Sequence, residues 1–122
     1  MDNFQFKRSD RVDHEIKDII SRIITSRIIL DGAGLITVTK VKTSQNLRFS
    51  KIYISFMNNQ INQDTLVESM NHNIKEYRYQ LSKELQIKYV PRIKFYYDNT
   101  FEEMEHISTL INKTKINDNK RK

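Results

Sequence analysis

Among the cations in the second half of the chain are Lys75, Arg78, Lys88, Arg92 and Lys94, with Tyr89 and Tyr96 set among them. Lysine and arginine neutralise phosphates, and tyrosine rings offer faces on which unpaired bases stack. The plainer alternative is a solvated strand face and helix flank. Arg8 and Arg11 add to the same surface if their helix turns that way. Other reactive side chains lead less far. The run Asp13-His14-Glu15-Ile16-Lys17-Asp18 resembles a zinc-protease helix, but Asp18 stands where the second histidine is required. His72 and His106 lack partners at ligand spacing. Glu102, Glu103 and Glu105 fit first-turn acids that complement a helix dipole better than an acid–base pair. No Gly-x-x-x-x-Gly-Lys, Gly-x-Ser-x-Gly or cysteine nucleophile occurs. The chain therefore reads as a binder with no active site, no metal and no cofactor.

Composition narrows the partner. The 122 residues hold 21 Lys+Arg against 15 Asp+Glu, a net charge of +6. Such a balance favours polyanions, either nucleic acid or an anionic membrane surface. With no cysteine, disulfides and Cys-ligated zinc are excluded, and a reducing cytoplasm is the expected home. No apolar run approaches the ~18 residues that span a bilayer. No cleavable signal is expected, since Met1 to Lys7 includes Asp2 and leads into an amphipathic helix. A chain of this length reads as one domain that buries roughly two-thirds of its unfolded surface. Two glycines and one proline mean few tight turns and mostly regular elements.

Several elements must position the cations. Ser9 or Asp10 caps a first helix, whose buried face runs through Val12, Ile16, Ile19, Ile20, Ile23, Ile24 and Ile28. Asp31-Gly32-Ala33-Gly34 ends it. Leu35 to Thr43 alternates as a strand. Val41 breaks the parity set by Ile36 and Val38, which implies either a bulge near Lys40 or burial on both faces. Ser44 to Arg48 is the turn into a second, antiparallel strand, Lys51 to Phe56, with Ile52, Ile54 and Phe56 facing in and Lys51 and Tyr53 out.

Leu66, Met70, Ile74, Tyr77, Leu81 and Leu85 then form one helical stripe, opened by a capping box at Thr65 and Glu68. From Gln86 the period shifts to two, and Pro91 marks a strand that turns Ile93, Phe95 and Tyr97 one way and Arg92, Lys94 and Tyr96 the other. A capping box at Thr100 and Glu103 opens a last helix with Phe101, Met104, Ile107 and Ile111 facing the core. The expectation is one domain over residues 1–111 and a basic, disordered tail over 112–122. Its fold class is α+β, in the order α-β-β-α-β-α, with three strands and helices on one face.

Taken in order, Arg8 with Arg11-Val12, Val38 to Val41, Ser44 to Ser55 and Val90 to Asp98 resemble the ribosome-binding factor A family over about Arg8 to Leu110. That resemblance implies a type II KH fold and a bacterial factor that binds free, immature small (30S) ribosomal subunits. It implies assistance to late folding and end-processing of 16S rRNA without nuclease activity. Two departures stand out. Asn46 replaces the family's loop aspartate. Asn73-Ile74-Lys75, with Arg78 beyond, occupies the place of the family's Ala-x-Gly kink, so a glycine-dependent approach to phosphates is lost. A kink is still expected at Asn73, which tolerates unusual backbone. In a straight helix, Lys75 and Arg78 would serve as side-chain phosphate contacts.

The RNA-facing set is thus Arg8, Arg11, Asn73, Lys75, Arg78, Lys88, Arg92 and Lys94, on a monomer with no small-molecule substrate and no membrane. A rival is a small α/β protein-interaction module with incidental charge, favoured if the strand tyrosines are buried. A small RNA-processing enzyme would need clustered carboxylates, which the spacing does not offer. A membrane-surface protein fits less well, because the helix stripes match a sheet.

Overall fold

The computed structural model describes residues 8–100 and 102–107. Its elements are α1 (Arg8–Ser26), β1 (Leu35–Thr43), β2 (Phe49–Met57), α2 (Gln63–His72), α3 (Ile74–Glu84) and β3 (Arg92–Tyr97), followed by helical turns over 102–107. This is the α+β order expected of a KH-like domain, with the central helix in two pieces. The tail over 112–122, Phe101 and Ile111 lie outside the described residues.

The strands form one sheet in the order β1-β2-β3, antiparallel between β1 and β2 and parallel between β2 and β3. Parallel neighbours need a long crossover, which α2 and α3 supply. Register explains the two faces. Val38 opposes Ile54, Val41 opposes Ile52, and Ile52 opposes Phe95, all buried toward the helices. The register slips between Val38 and Lys40, leaving Thr39 as the bulge. That extra residue restores Val41 to the core face and turns Lys40 and Lys42 outward. Without it the parity would bury both lysines.

The core joins Val12, Ile16, Ile19, Ile20 and Ile23 of α1 to Met70, Tyr77 and Leu81 of the central helix pair and to the inner strand residues. Tyr77 meets Phe95 edge-on at 4.9 Å between ring centroids. Outside the core, Glu84 on α3 receives Arg22 at 2.7 Å and Arg27 at 3.2 Å from the α1 side. On the outer edge, Asn71 from α2 clasps β3. Its side-chain amide donates to the Phe95 carbonyl at 2.9 Å, and its oxygen accepts from the Phe95 N–H at 2.8 Å. That pairing satisfies an edge strand that has no further strand beside it among the described residues.

Several boundaries fall elsewhere than the pattern suggests. Helix α1 is already formed at Arg8, with Ser9 buried inside it, and it stops at Ser26, before Asp31. The Thr25 and Ser26 hydroxyls donate back to the Ser21 and Arg22 carbonyls, and Ile28 N closes onto Ile23 O in a wide final turn. Such back-bonding loosens a helix end. Gly32 and Gly34, both at positive φ, instead shape the entry to β1. A side chain at Gly34 would run into the Met57 carbonyl.

Helix α2 is capped by Asn62, whose side-chain oxygen accepts from Asp64 N at 2.8 Å, so Thr65 lies within the helix and not at its cap. Thr100 is likewise inside its helical segment: Asp98 Oδ1 accepts from Thr100 N, and Glu103 N donates to the Asn99 carbonyl. That segment meets the body through polar groups, and Met104 and Ile107 are 63% and 55% exposed, not core-facing.

Candidate nucleic-acid interface

Asn73 ends α2 and begins α3 with φ −101° and ψ 25°. Its N–H is shared between the Ser69 and Met70 carbonyls, its side-chain amide reaches Ser69 O at 3.3 Å, and its own carbonyl accepts from Glu76 N at 3.0 Å. The expected kink is therefore present and is made at negative φ, where glycine confers no advantage. Asn73 and Lys75 stand exposed at this break.

Helix α3 then aims Arg78 at the chain ahead of β3. Its Nε donates to Pro91 O at 3.2 Å and its Nη2 to Val90 O at 2.8 Å. Those carbonyls are thus held by a side chain and not by a strand, and Pro91 has no N–H to pair. The extended pairing accordingly starts at Arg92, and Lys88 and Tyr89 belong to a loop, not to a strand. Tyr89 is 75% exposed.

That loop is one wall of a cleft of about 670 Å³ lined by Arg8, Asn46, Leu47, Arg48, Arg78, Ile87, Lys88, Tyr89, Val90 and Arg92. The opposite wall is the β1–β2 turn. There Asn46 Oδ1 accepts from Arg48 N at 3.1 Å and from the Ser44 hydroxyl at 2.6 Å, while Leu47 takes φ +60°. Asparagine supplies the same acceptor that an aspartate would. Among the described residues, no acidic side chain lines the cleft, and Arg8, Arg48, Lys88 and Arg92 are exposed. Cations gathered without a carboxylate keep their field for an outside anion.

Four of the expected residues, Arg8, Arg78, Lys88 and Arg92, meet in this cleft. Arg11 instead lies with Asp10, His14 and Glu15 along α1. Asn73 and Lys75 remain at the helix break, and Lys94 projects from the sheet face opposite the helices. Local reading missed Arg48, because a turn residue shows no periodicity.

Lys94 has company on that open face. Across the strands run the rows Lys42–Lys51–Lys94 and Lys40–Tyr53–Tyr96. The Tyr53 and Tyr96 rings stack at 5.6 Å, with Lys40 Nζ 4.6 Å from the Tyr53 centroid. Both rings are half-buried, short of the burial that the protein-interaction rival called for.

At the end of β3, hydrogen bonds from Thr100 and from Thr39 hold the Asp98 carboxyl below the usual range, with nearby Lys40 helping. The Tyr97 hydroxyl donates to Glu102, a bond that, with burial and neighbouring carboxylates, pushes its pKa up to about 12. Burial also raises Tyr77. None of these groups lines the cleft. Among the described residues, no three His, Asp or Glu side chains converge as metal ligands.

Residues 8–111 match the sequence model of the family described as Ribosome-binding factor A. The chain belongs to that family. Ribosome-binding factor A of Vibrio campbellii is 28% identical over 120 residues, covering 97% of this chain and 87% of the relative. That of Acetivibrio thermocellus is 31% identical over 109 residues, covering 88% and 89%. Among solved folds, the ribosome-binding factor A crystal structure from Thermus thermophilus aligns with a TM-score of 0.63 at 14% identity, over 72% of this chain and 93% of that one. A Thermus thermophilus ribosome-binding factor A model fitted into a cryo-EM map of a 30S complex aligns at TM-score 0.60 and 14% identity, over 70% of this chain and 90% of that one. The family's fold thus accounts for the architecture, and the cleft is where this chain's own cations gather within it. Among the described residues, no helix is long and apolar enough to cross a membrane.

Proposed function

We propose that this chain is a cytoplasmic, monomeric factor that binds free, immature small ribosomal subunits and assists late maturation of 16S rRNA. It acts by RNA binding without catalysis. The reading draws on the family, and on the 30S complex named for the Thermus thermophilus relative. The observation that carries it is the cleft where Arg8, Arg48, Arg78, Lys88 and Arg92 converge from α1, the β1–β2 turn, α3, the loop before β3 and β3 itself, with no carboxylate among the described residues that line it.

Guanidinium groups present a planar fork that matches phosphate oxygens, so an arginine-rich cleft fixes the orientation of a folded backbone as well as attracting it. Binding one rRNA arrangement more tightly than another shifts the population toward it by the difference in affinity. No bond in the RNA needs to change.

The test is sedimentation of tagged protein in cell lysate. It should ride with free small subunits and be missing from full ribosomes, and Arg48→Gln with Lys88→Gln should release it. Wild-type protein spread evenly across all particles, or a double variant that still co-sediments normally, would refute the reading.

A further inference from the structure

The sheet face turned away from the helices forms a second cationic surface, apart from the cleft. None of the three described strands contains an acidic residue, and Lys40, Lys42, Lys51, Arg92 and Lys94 all project from this face by register. At its centre lie two rings from adjacent strands, Tyr53 and Tyr96, with centroids 5.6 Å apart and planes 30° apart. Lysine heads surround them: Lys40 Nζ is 4.6 Å from the Tyr53 centroid, and Lys94 and Lys51 are 5.4 and 5.8 Å from that of Tyr96. No described helix packs over them, and the four lysines are exposed.

We propose that this face is a docking platform for a single-stranded RNA segment, with Tyr53 and Tyr96 stacking unpaired bases and Lys40, Lys42, Lys51 and Lys94 holding the flanking phosphates. Aromatic rings framed by cations bind single strands with little sequence preference, because every base has a π face. A lysine head resting over a ring is displaced by an arriving base and need move only a short way to its phosphate. The choice of occupant follows from charge: the strands put five cations on this face against Asp98 beside Lys40 at its end, so the balance favours an anion, and the paired rings favour bases over acidic side chains. Arg92 lines the cleft as well, so a strand leaving this face continues toward the cleft. The proposal rests on the RNA-binding reading above and names the part of the RNA that the face would take.

The experiment measures binding of the full chain to a short oligouridine and to an abasic ribose-phosphate strand of equal length. Wild-type protein should favour the base-bearing strand by roughly tenfold. Tyr53→Leu with Tyr96→Leu should abolish that preference and leave abasic binding intact, whereas the corresponding phenylalanine pair should preserve it. Tyr79→Leu, at an exposed ring on α3 outside both surfaces, should leave it unchanged. Lys40→Gln, Lys51→Gln and Lys94→Gln together should lower the salt slope for both strands by about 0.7 per lost contact. Equal wild-type affinity for the two strands would overturn the proposal, as would a preference that survives the leucine pair. So would equal binding of an oligoglutamate of matched charge, which would mean a protein partner. Subunit sedimentation of the Arg48→Gln/Lys88→Gln variant is scored separately, so the cleft and the face fail independently.

Discussion

The cleft and the open sheet face are both cationic, yet they are built in opposite ways. The cleft draws its charge mainly from arginine, on segments far apart in the chain, and one of those arginines is already committed to backbone carbonyls. The face draws its charge mainly from lysine, on regular strands, around a tyrosine pair. A guanidinium fork rewards a ligand whose phosphates are already fixed in space, whereas an ammonium on a flexible stem tolerates a strand that arrives in many conformations. The difference teaches that charge sign alone does not define a single RNA surface. Geometry divides it into a rigid grip and an adaptable track.

The largest effect should separate these roles. Arg48→Gln with Lys88→Gln is expected to lower affinity for small subunits by about 10- to 100-fold at moderate salt, by loss of charge-assisted phosphate contacts. Tyr53→Leu with Tyr96→Leu should cost less than this on intact subunits. Sedimentation across a salt titration measures both, and a larger loss from the tyrosine pair would reverse the ranking.

Strand β3 serves both surfaces, since Arg92 lines the cleft while Lys94 and Tyr96 lie on the face. Its position depends on the Asn71 clasp. Asn71→Leu keeps the volume but leaves the Phe95 N–H and C=O unpaired in a half-buried setting, at a cost of about 2 kcal/mol. Urea unfolding reads that cost directly. Binding at the cleft and at the face should weaken together, and loss at one surface alone would mean that β3 is held by something else.

Arg78 sharpens the contrast within the cleft. Arg78→Lys preserves the charge but not the paired bonds to Val90 and Pro91, so stability should fall by about 1 kcal/mol while the salt slope of subunit binding stays near wild type. Arg78→Gln should lower both. A lysine variant with full stability would show that the two carbonyl bonds contribute nothing net.

How much of this was legible in the sequence follows the range of the interactions. The α1 stripe, the alternation of β2 and the parity break at Val41 are local patterns, and each became the expected element. The kink at Asn73 was legible from the family resemblance and from asparagine's tolerance of unusual backbone, not from the local pattern, because the apolar stripe runs across it without a break. The cleft was not legible as a unit. Arg48 sits in a turn, and the carbonyls that Arg78 engages lie on a segment whose alternation reads as strand. Period two over Gln86 to Pro91 says nothing about whether a partner strand is within reach, and Arg78 had taken the Val90 and Pro91 carbonyls. Met104 and Ile107 teach the same lesson in reverse, because helical spacing marks an apolar stripe but not the surface that would cover it.

The smallest expected effect concerns the bulge that creates the open face. Thr39 is the extra residue, and its hydroxyl donates to Asp98, which also accepts from Thr100 N. These bonds favour the ionised carboxylate and lower its pKa in the folded chain. The unfolded chain, with an ordinary value of about 3.9, therefore takes up this proton first as pH falls. Its contribution is fully present above about pH 5 and is lost as pH drops through the unfolded value toward the lowered folded one. The site is partly open to solvent, so the expected size is below about 1 kcal/mol. Asp98→Asn keeps an acceptor for Thr100 N but removes the charge. The stability difference between wild type and this variant should be present at pH 7 and shrink by pH 3, measured by urea unfolding at both. A constant difference would mean that the bulge, and with it the outward placement of Lys40 and Lys42, owes nothing to the Asp98 charge.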